Sequence, residues 1–156
     1  MERLKRMKEN EIFKFRKAVI EDKTTIRALL QTAKLLTENL DKDVTTFYIA
    51  EENGQTAGIA GYEFYGDDAL LRSVAVQPDF QHHGIGSQFV DFMLDEARKR
   101  KILSVVLLTE TAKDFFLKKG FVVVDRSSIE NGAMIKSSEF AYACPKSAVC
   151  MRLWLK

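Results

Sequence analysis

The sequence predicts a mixed α/β fold, an α+β sheet flanked by helices, and three observations carry that prediction. Asn53-Gly54 lies between two strand-like runs, Thr46–Glu52 and Thr56–Phe64, and this dipeptide favours a two-residue hairpin turn. Leu70-Leu71-Arg72-Ser73-Val74-Ala75-Val76 reads as a largely apolar strand closed by Gln77-Pro78. Beyond it, Ile85, Phe89, Phe92, Met93 and Ala97 recur at helical spacing as far as Arg98-Lys99-Arg100.

The remaining elements follow in chain order. Phe13-Lys14-Phe15-Arg16-Lys17 alternates like an opening strand. Asp22 is placed to cap a helix carrying Ile26, Leu29 and Leu30, with a further helical piece around Leu35 to Leu40 and a polar loop from Asp41 to Thr45. Gly66-Asp67-Asp68 turns the chain into the strand ending at Val76, and the long helix spans Gly84 to Arg100. Ser104 to Leu108 reads as a buried strand, Ala112 to Lys119 as a short helix closed by Gly120, and Phe121–Asp125 and Ala148–Trp154 as the last strands. The expected order is β-α-α-β-β-β-α-β-α-β-β. No repeat or low-complexity linker interrupts it, so a single domain over 12–156 is expected behind an arm at 1–11. A chain of 156 residues is long enough to bury roughly two-thirds of its unfolded surface as one domain.

Composition removes several classes. Hydrophobic residues at 46% and charged residues at 29% are ordinary for a soluble globular protein. A net charge of +2 gives no strong attraction to nucleic acid or to a membrane. The basic residues Arg3, Lys5, Arg6 and Lys8 are diluted by Glu2, Glu9 and Glu11, which reads as a solvated arm. No apolar run approaches transmembrane length and no signal peptide is visible, so a cytoplasmic location is expected. Cys144 and Cys150 are then expected as free, buried thiols.

Gln81-His82-His83-Gly84-Ile85-Gly86, between the apolar strand and the long helix, carries the chemistry. The first N–H groups of a helix lack intrahelical acceptors, and its dipole favours negative charge there. Glycines let backbone approach a phosphate without an intervening side chain. A phosphorylated ligand is therefore expected. A Walker loop is excluded because no Gly-x4-Gly-Lys-Ser/Thr run exists, and a dinucleotide fingerprint is excluded because Phe89 stands where its third glycine would be. Adjacent His82 and His83 have no other histidine or nearby cysteine to complete a metal site, so no metal is expected.

The pattern Gln-x-x-Gly-x-Gly after a Val-x-Val-x-Pro strand end resembles the GNAT superfamily of N-acetyltransferases. Ala112-Lys113-Asp114-Phe115-Phe116-Leu117-Lys118-Lys119-Gly120-Phe121 resembles that superfamily's second motif, Ala-x-x-Phe-Tyr-x-x-x-Gly-Phe. The resemblance implies the acyl-CoA N-acyltransferase fold and acetyl-CoA as co-substrate. It implies that Gln81, His82, His83, Gly84, Ile85, Gly86 and Ser87 hold the pyrophosphate, mostly through N–H groups. Val74, Ala75 and Val76 would contact pantetheine and the thioester through backbone atoms, with Thr109, Phe115 and Phe116 beside the cofactor. Phe116 stands where the family carries the tyrosine that protonates the departing thiolate, so that proton must come from Tyr62, Tyr65, Tyr142, water or the amine. Amine deprotonation needs a carboxylate, and Glu63 and Glu110 are the candidates, each weighed against a plain surface role. Glu51 and Glu52 are read as solvated.

The tail segments Ser137-Ser138-Glu139-Phe140 and Cys144 to Leu153, with Leu107-Leu108-Thr109, are similar to the arsenic-resistance N-acetyltransferases and the short relatives of N-acetylglutamate synthases. That subgroup implies an acceptor that is the α-amine of a small amino acid, glutamate-like or a glutamate-shaped toxin. Arg72 would offer a planar fork to its carboxylate, the alternative being an outward-facing arginine, and Lys136, Ser137 or Ser138 would line the other end. Two further readings stand beside this one. One is a CoA-binding sensor or interaction protein of the same fold, favoured by Phe116. The other is a protein or peptide N-acetyltransferase, disfavoured because residues 127–147 are long enough to cover the acceptor site. Exposed strand edges near the C-terminus are compatible with a homodimer.

Overall fold

The computed structural model describes residues 13–35, 45–81, 84–137, 140 and 147–156. Its strands form one sheet in the order β1-β2-β3-β4-β5-β7-β6. They are β1 (Phe13–Lys17), β2 (Thr46–Glu52), β3 (Gln55–Tyr65), β4 (Asp68–Val76), β5 (Ser104–Thr109), β6 (Val122–Val124) and β7 (Val149–Trp154). The helices are α1 (Lys23–Thr32), α2 (Ile85–Lys99), α3 (Lys113–Lys118) and α4 (Gly132–Ile135). The chain makes two compact units, Met1–Gly61 with Ser73–Leu94 and Tyr62–Arg72 with Asp95–Lys156.

In the first unit, β1 pairs antiparallel with β2, from Phe13 opposite Glu52 to Lys17 opposite Tyr48. Asn53 (φ 53°) and Gly54 (φ 78°) both take positive φ, as the hairpin dipeptide requires. Glu52 is buried, with 8% of its surface exposed, and Glu51 is half-buried against Arg16 at 3.4 Å. Neither is the solvated carboxylate expected, because β1 covers this end of β2. The helix stripe is confirmed: Ile85, Phe89, Met93 and Ala97 are buried, and Phe15 stacks on Phe89 at 5.6 Å and Phe92 at 5.5 Å. Ile26 and Leu30 of α1 pack with Ile49 and Ile59.

Asp22 corrects a second expectation. It takes the N-cap position of α1 with helical backbone angles and makes no side-chain cap. Its carboxylate instead accepts Val19 N–H at 2.8 Å and two Arg16 N–H bonds at 2.7 and 3.0 Å. A 3-10 turn at Ile20–Asp22 intervenes before the helix, and Asp22 closes that turn. The Arg16 guanidinium holds the Asp22 carboxyl below its ordinary value.

In the second unit, β5 pairs antiparallel with β7 from Ser104–Trp154 to Thr109–Val149, and β7 with β6. The parallel register of β4 with β5 runs over Asp68–Ser104, Ala69–Val105 and Leu70–Val106. Leu70, Val106, Ile129, Met134 and Cys150 form this unit's core, so Cys150 is the buried thiol expected. Its pKa is raised by burial.

The observed order departs from the expected one at helix α4. The helical piece expected over Leu35–Leu40 lies, past Leu35, outside the described residues, as do most of the Asp41–Thr45 loop and the arm at 1–11. Helix α4 was not expected, since four residues are too few to show helical periodicity. It forms because Asn131 caps it, its side-chain oxygen accepting Met134 N–H at 3.2 Å.

Ser73 breaks β4. It has φ +57° in mid-strand, a conformation that non-glycine residues rarely adopt and that marks a local irregularity of the bulge kind. Ala69 to Ser73 are buried, whereas Val74 is 36% exposed.

Candidate functional site

The glycine turn belongs to the first unit. Gln77 is tied to β3 by its own N–H to the Ala57 carbonyl at 2.7 Å and by its side-chain amide to the Thr56 carbonyl at 2.5 Å. Pro78–Phe80 is a 3-10 turn, and the Gln81 side chain returns to donate to the Val76 carbonyl at 2.8 Å. Gly84 takes φ +73°, which aims the chain into α2. The first helical bond runs from Gln88 N–H to the Gly84 carbonyl at 3.3 Å, so Ile85 and Gly86 occupy the helix N-terminal turn, where N–H groups have no intrahelical acceptor. A Cβ on Gly86 would meet only Val76 Cγ2, at 3.9 Å. On β3, a Cβ on Gly58 would lie 2.7 Å from the Ala75 carbonyl oxygen, so only glycine permits this backbone approach. Val74, Ala75 and Val76 are exposed or half-buried. This is a backbone cradle at the end of a helix dipole, of the kind that suits a phosphate. His82 and His83 lie outside the described residues.

The second unit holds a buried ionic cluster. Glu63 is 1% exposed and Arg72 5%. Arg72 Nη1 pairs with Glu63 Oε2, and the Tyr65 hydroxyl donates to Glu63 Oε1. Ser137 is 8% exposed, and its hydroxyl oxygen accepts Phe140 N–H at 3.3 Å. Burial above all, then the Glu63 carboxylate, push the Tyr65 hydroxyl well above the ordinary tyrosine value, keeping it a proton donor at neutral pH. Glu63 is therefore not a surface carboxylate, and Arg72 does not face outward: both are drawn in because each is the other's counter-charge.

The other expected residues separate. Tyr62 is fully buried beside Phe64, with ring centroids 5.3 Å apart. Glu110 and Lys136 are exposed. The Thr109 hydroxyl oxygen accepts Ala112 N–H at 3.0 Å and so shapes the entry to α3. Phe116 is buried, edge-on to Phe115 at 5.1 Å and to Phe121 at 5.4 Å, whereas Phe115 is half-buried. Phe116 thus serves the core of its unit. Ser138, Glu139, Tyr142 and Cys144 lie outside the described residues.

Sequence reading missed Asn131 and Asp68. The Asn131 amide donates to the Tyr65 carbonyl at 2.7 Å and to Asp68 Oδ2 at 3.1 Å. Asp68 Oδ1 accepts from Ser104 at 2.6 Å and Arg152 at 3.2 Å. Nothing in the local sequence marks these partners, which are 36 to 84 residues apart. A cavity of about 390 Å³ lined by Lys17, Val19, Lys23, Ile26 and Phe47 among others shares no residue with the turn or the ionic cluster. Among the described residues no cluster of three or more His, Cys, Asp or Glu forms a metal site, and no helix is long and apolar enough to cross a membrane.

Comparison with known proteins places this geometry. The profile of the acetyltransferase (GNAT) domain matches residues 43–123, from β2 through β5 and into β6, including the glycine turn. An amino-acid acetyltransferase of Mycobacterium tuberculosis is 31% identical over 125 residues, covering 73% of this chain and 71% of the relative. The chain belongs to the GNAT acetyltransferase family. An amino-acid acetyltransferase of Vibrio atlanticus is 30% identical over 97 residues, 60% of this chain but only 22% of that protein. Among solved structures, Rv2747 of M. tuberculosis in complex with CoA and NLQ superposes with a TM-score of 0.78 at 26% identity, covering 92% of this chain and 99% of that one. N-acetylglutamate synthase of Neisseria gonorrhoeae, solved with coenzyme A and N-acetyl-glutamate, gives a TM-score of 0.79 at 20% identity and covers 92% of this chain and 35% of that one, a likeness of fold. The chain thus spans well under half the length of some relatives it matches and most of the length of others.

Proposed function

We propose that this protein is an acetyl-CoA-dependent N-acetyltransferase acting on the α-amine of a small, carboxylate-bearing amino acid of glutamate-like shape. The observation that carries the reading is the glycine turn at the N-terminus of α2, inside the segment that matches the family. Acetyl-CoA, when bound, supplies an activated acetyl group. The residues present suit its pyrophosphate: Gly84 at positive φ and the first N–H groups of α2 offer donors and dipole without a side chain in the way. Gln81 orders that turn through Val76, and Val74 to Val76 carry the backbone expected to meet pantetheine. Ser87, Thr109 and Phe115 complete the proposed cofactor contacts.

Arg72 is proposed to recognise the acceptor carboxylate with its planar fork, with Ser137 and Lys136 at the rim. Deprotonation of the amine falls to a carboxylate or to water it orders, Glu63 and Glu110 being the groups considered, while Tyr62 is a candidate donor of the proton to the departing thiolate. Amino-acid acetyltransferases among the relatives support the acceptor class. A glutamate-shaped arsenical toxin is one member of that class, and residues 12–156 are proposed to act as one acetyltransferase domain, in the cytoplasm and without nucleic acid or membrane partners.

The test is thiol release from acetyl-CoA across a panel holding glutamate, aspartate, glutamine, phosphinothricin, arsinothricin and an alanine-terminated peptide. Turnover of the acidic amino acids is expected. Turnover of the peptide alone would favour the protein or peptide N-acetyltransferase reading, since a bS18-alanine N-acetyltransferase of Escherichia coli is 34% identical over 56 residues, 36% of this chain and 38% of that protein. CoA binding without turnover of any amine would favour a sensor, the reading that buried Phe116 at the tyrosine position supports.

A further inference from the structure

The Glu63 cluster is built differently from a lone general base. Each carboxylate oxygen accepts from a protein donor, Oε2 from Arg72 and Oε1 from Tyr65. Tyr65 is held again by Asn131, whose side-chain amide donates to its backbone carbonyl at 2.7 Å. Asn131 is itself fixed by its cap of α4 and its bond to Asp68. A base that takes a proton from an amine must turn a lone pair toward that amine. Here each oxygen already accepts from one protein donor and Glu63 is 1% exposed, among groups held by the α4 cap and Asp68.

We infer that Glu63 is a positioning residue: it pins one corner of the Arg72 guanidinium and thereby fixes the plane of the whole fork that meets the acceptor carboxylate. A guanidinium is rigid and planar, so anchoring one nitrogen orients the other donors. Tyr65 keeps Glu63 in the rotamer that does this, and Asn131 keeps Tyr65 in place. The role rests on the proposed acetylation of a carboxylate-bearing amine.

Initial rates of Glu63→Gln and Tyr65→Phe, taken between about pH 6 and pH 10 with the best acceptor of the panel, decide the matter. Positioning predicts an acceptor KM raised about 10-fold in Glu63→Gln, a kcat lowered no more than about 3-fold, an unchanged acetyl-CoA KM, and an acidic limb of the kcat/KM profile that keeps its midpoint. Loss of that limb, or a kcat fall of about 100-fold with acceptor KM unchanged, makes Glu63 the base and overturns the inference. Should Glu63→Gln fail to fold, judged by lost CoA binding in calorimetry, Tyr65→Phe decides alone: an acceptor KM raised about 3-fold or more with kcat retained supports the role, and an unchanged KM overturns it. A wild-type protein that acetylates no carboxylate-bearing amine overturns the function itself, and the positioning role with it.

Discussion

The two units build their parts of the chemistry from different materials. The first offers backbone: a glycine at positive φ, a close strand approach at Gly58 and the donors of a helix terminus. The second offers side chains: a buried carboxylate joined to a guanidinium and a phenol. Backbone donors are the same for every member of a fold and suit a ligand portion that never changes. Side-chain networks can be altered one residue at a time, and suit the portion that sets specificity. The contrast predicts that damage in the first unit registers as lost cofactor affinity, and damage in the second as lost stability and lost acceptor recognition.

The largest expected effect tests the second unit. Arg72→Ala leaves Glu63 buried without its counter-charge and should lower stability by about 3–5 kcal/mol, read as a shifted urea midpoint. The double change Glu63→Leu with Arg72→Met should recover much of that stability while leaving acceptor recognition lost. A single-variant loss under about 1 kcal/mol would mean the pair is solvated and the contrast false.

Gly84→Val probes the first unit. A β-branched residue at φ +73° is strained by roughly 1–2 kcal/mol. CoA affinity should fall about 10-fold or more by calorimetry, with the acceptor KM unmoved. An equal rise in both constants would dissolve the distinction between units.

Asn131 sharpens the picture by separating cap from clamp. Asn131→Ala should cost about 1–2 kcal/mol through the lost α4 cap and the orphaned Tyr65 carbonyl. Asn131→Asp keeps an acceptor for Met134 N–H but loses the donor to Tyr65 and faces Asp68. Its acceptor KM should therefore rise as far as that of Asn131→Ala, although its helix is capped.

The smallest effect is a pH dependence in the first unit. Asp22 has its pKa lowered by Arg16, so its ion pair adds stability above the unfolded value of 3.8 and loses it as pH falls through the lower folded value. Asp22→Asn should flatten that acid-side loss in denaturation curves and leave the neutral-to-alkaline limb unchanged.

The same contrast explains what the sequence could reveal. The hairpin at Asn53-Gly54, the stripe of α2 and the glycine turn are all local: each is written in residues a few positions apart, with a period or a dihedral requirement to read. Arg72 and Glu63 were visible as residues but not as a pair, because β3 and β4 must form before they meet, nine positions apart. Asp22 looked like a cap because capping is judged by residue type, and an arginine six positions earlier redirected it. Helix α4 showed no period to read, being a single turn, and the Asn131 that caps it is also held across 63 to 66 residues by Asp68 and Tyr65.

Asp68 has a consequence for how the chain comes off the ribosome. Its carboxylate is shared among Ser104, Asn131 and Arg152, at separations of 36, 63 and 84 residues. Synthesis supplies these partners one after another, and the last arrives only with β7. Until then the aspartate must remain hydrated, and the β3–β4 turn that it anchors stays open to water. The first unit, complete in sequence by Leu94, faces no such wait. The nascent chain should therefore present the proposed phosphate cradle well before it can present the proposed acceptor site, an order of assembly that follows from one carboxylate.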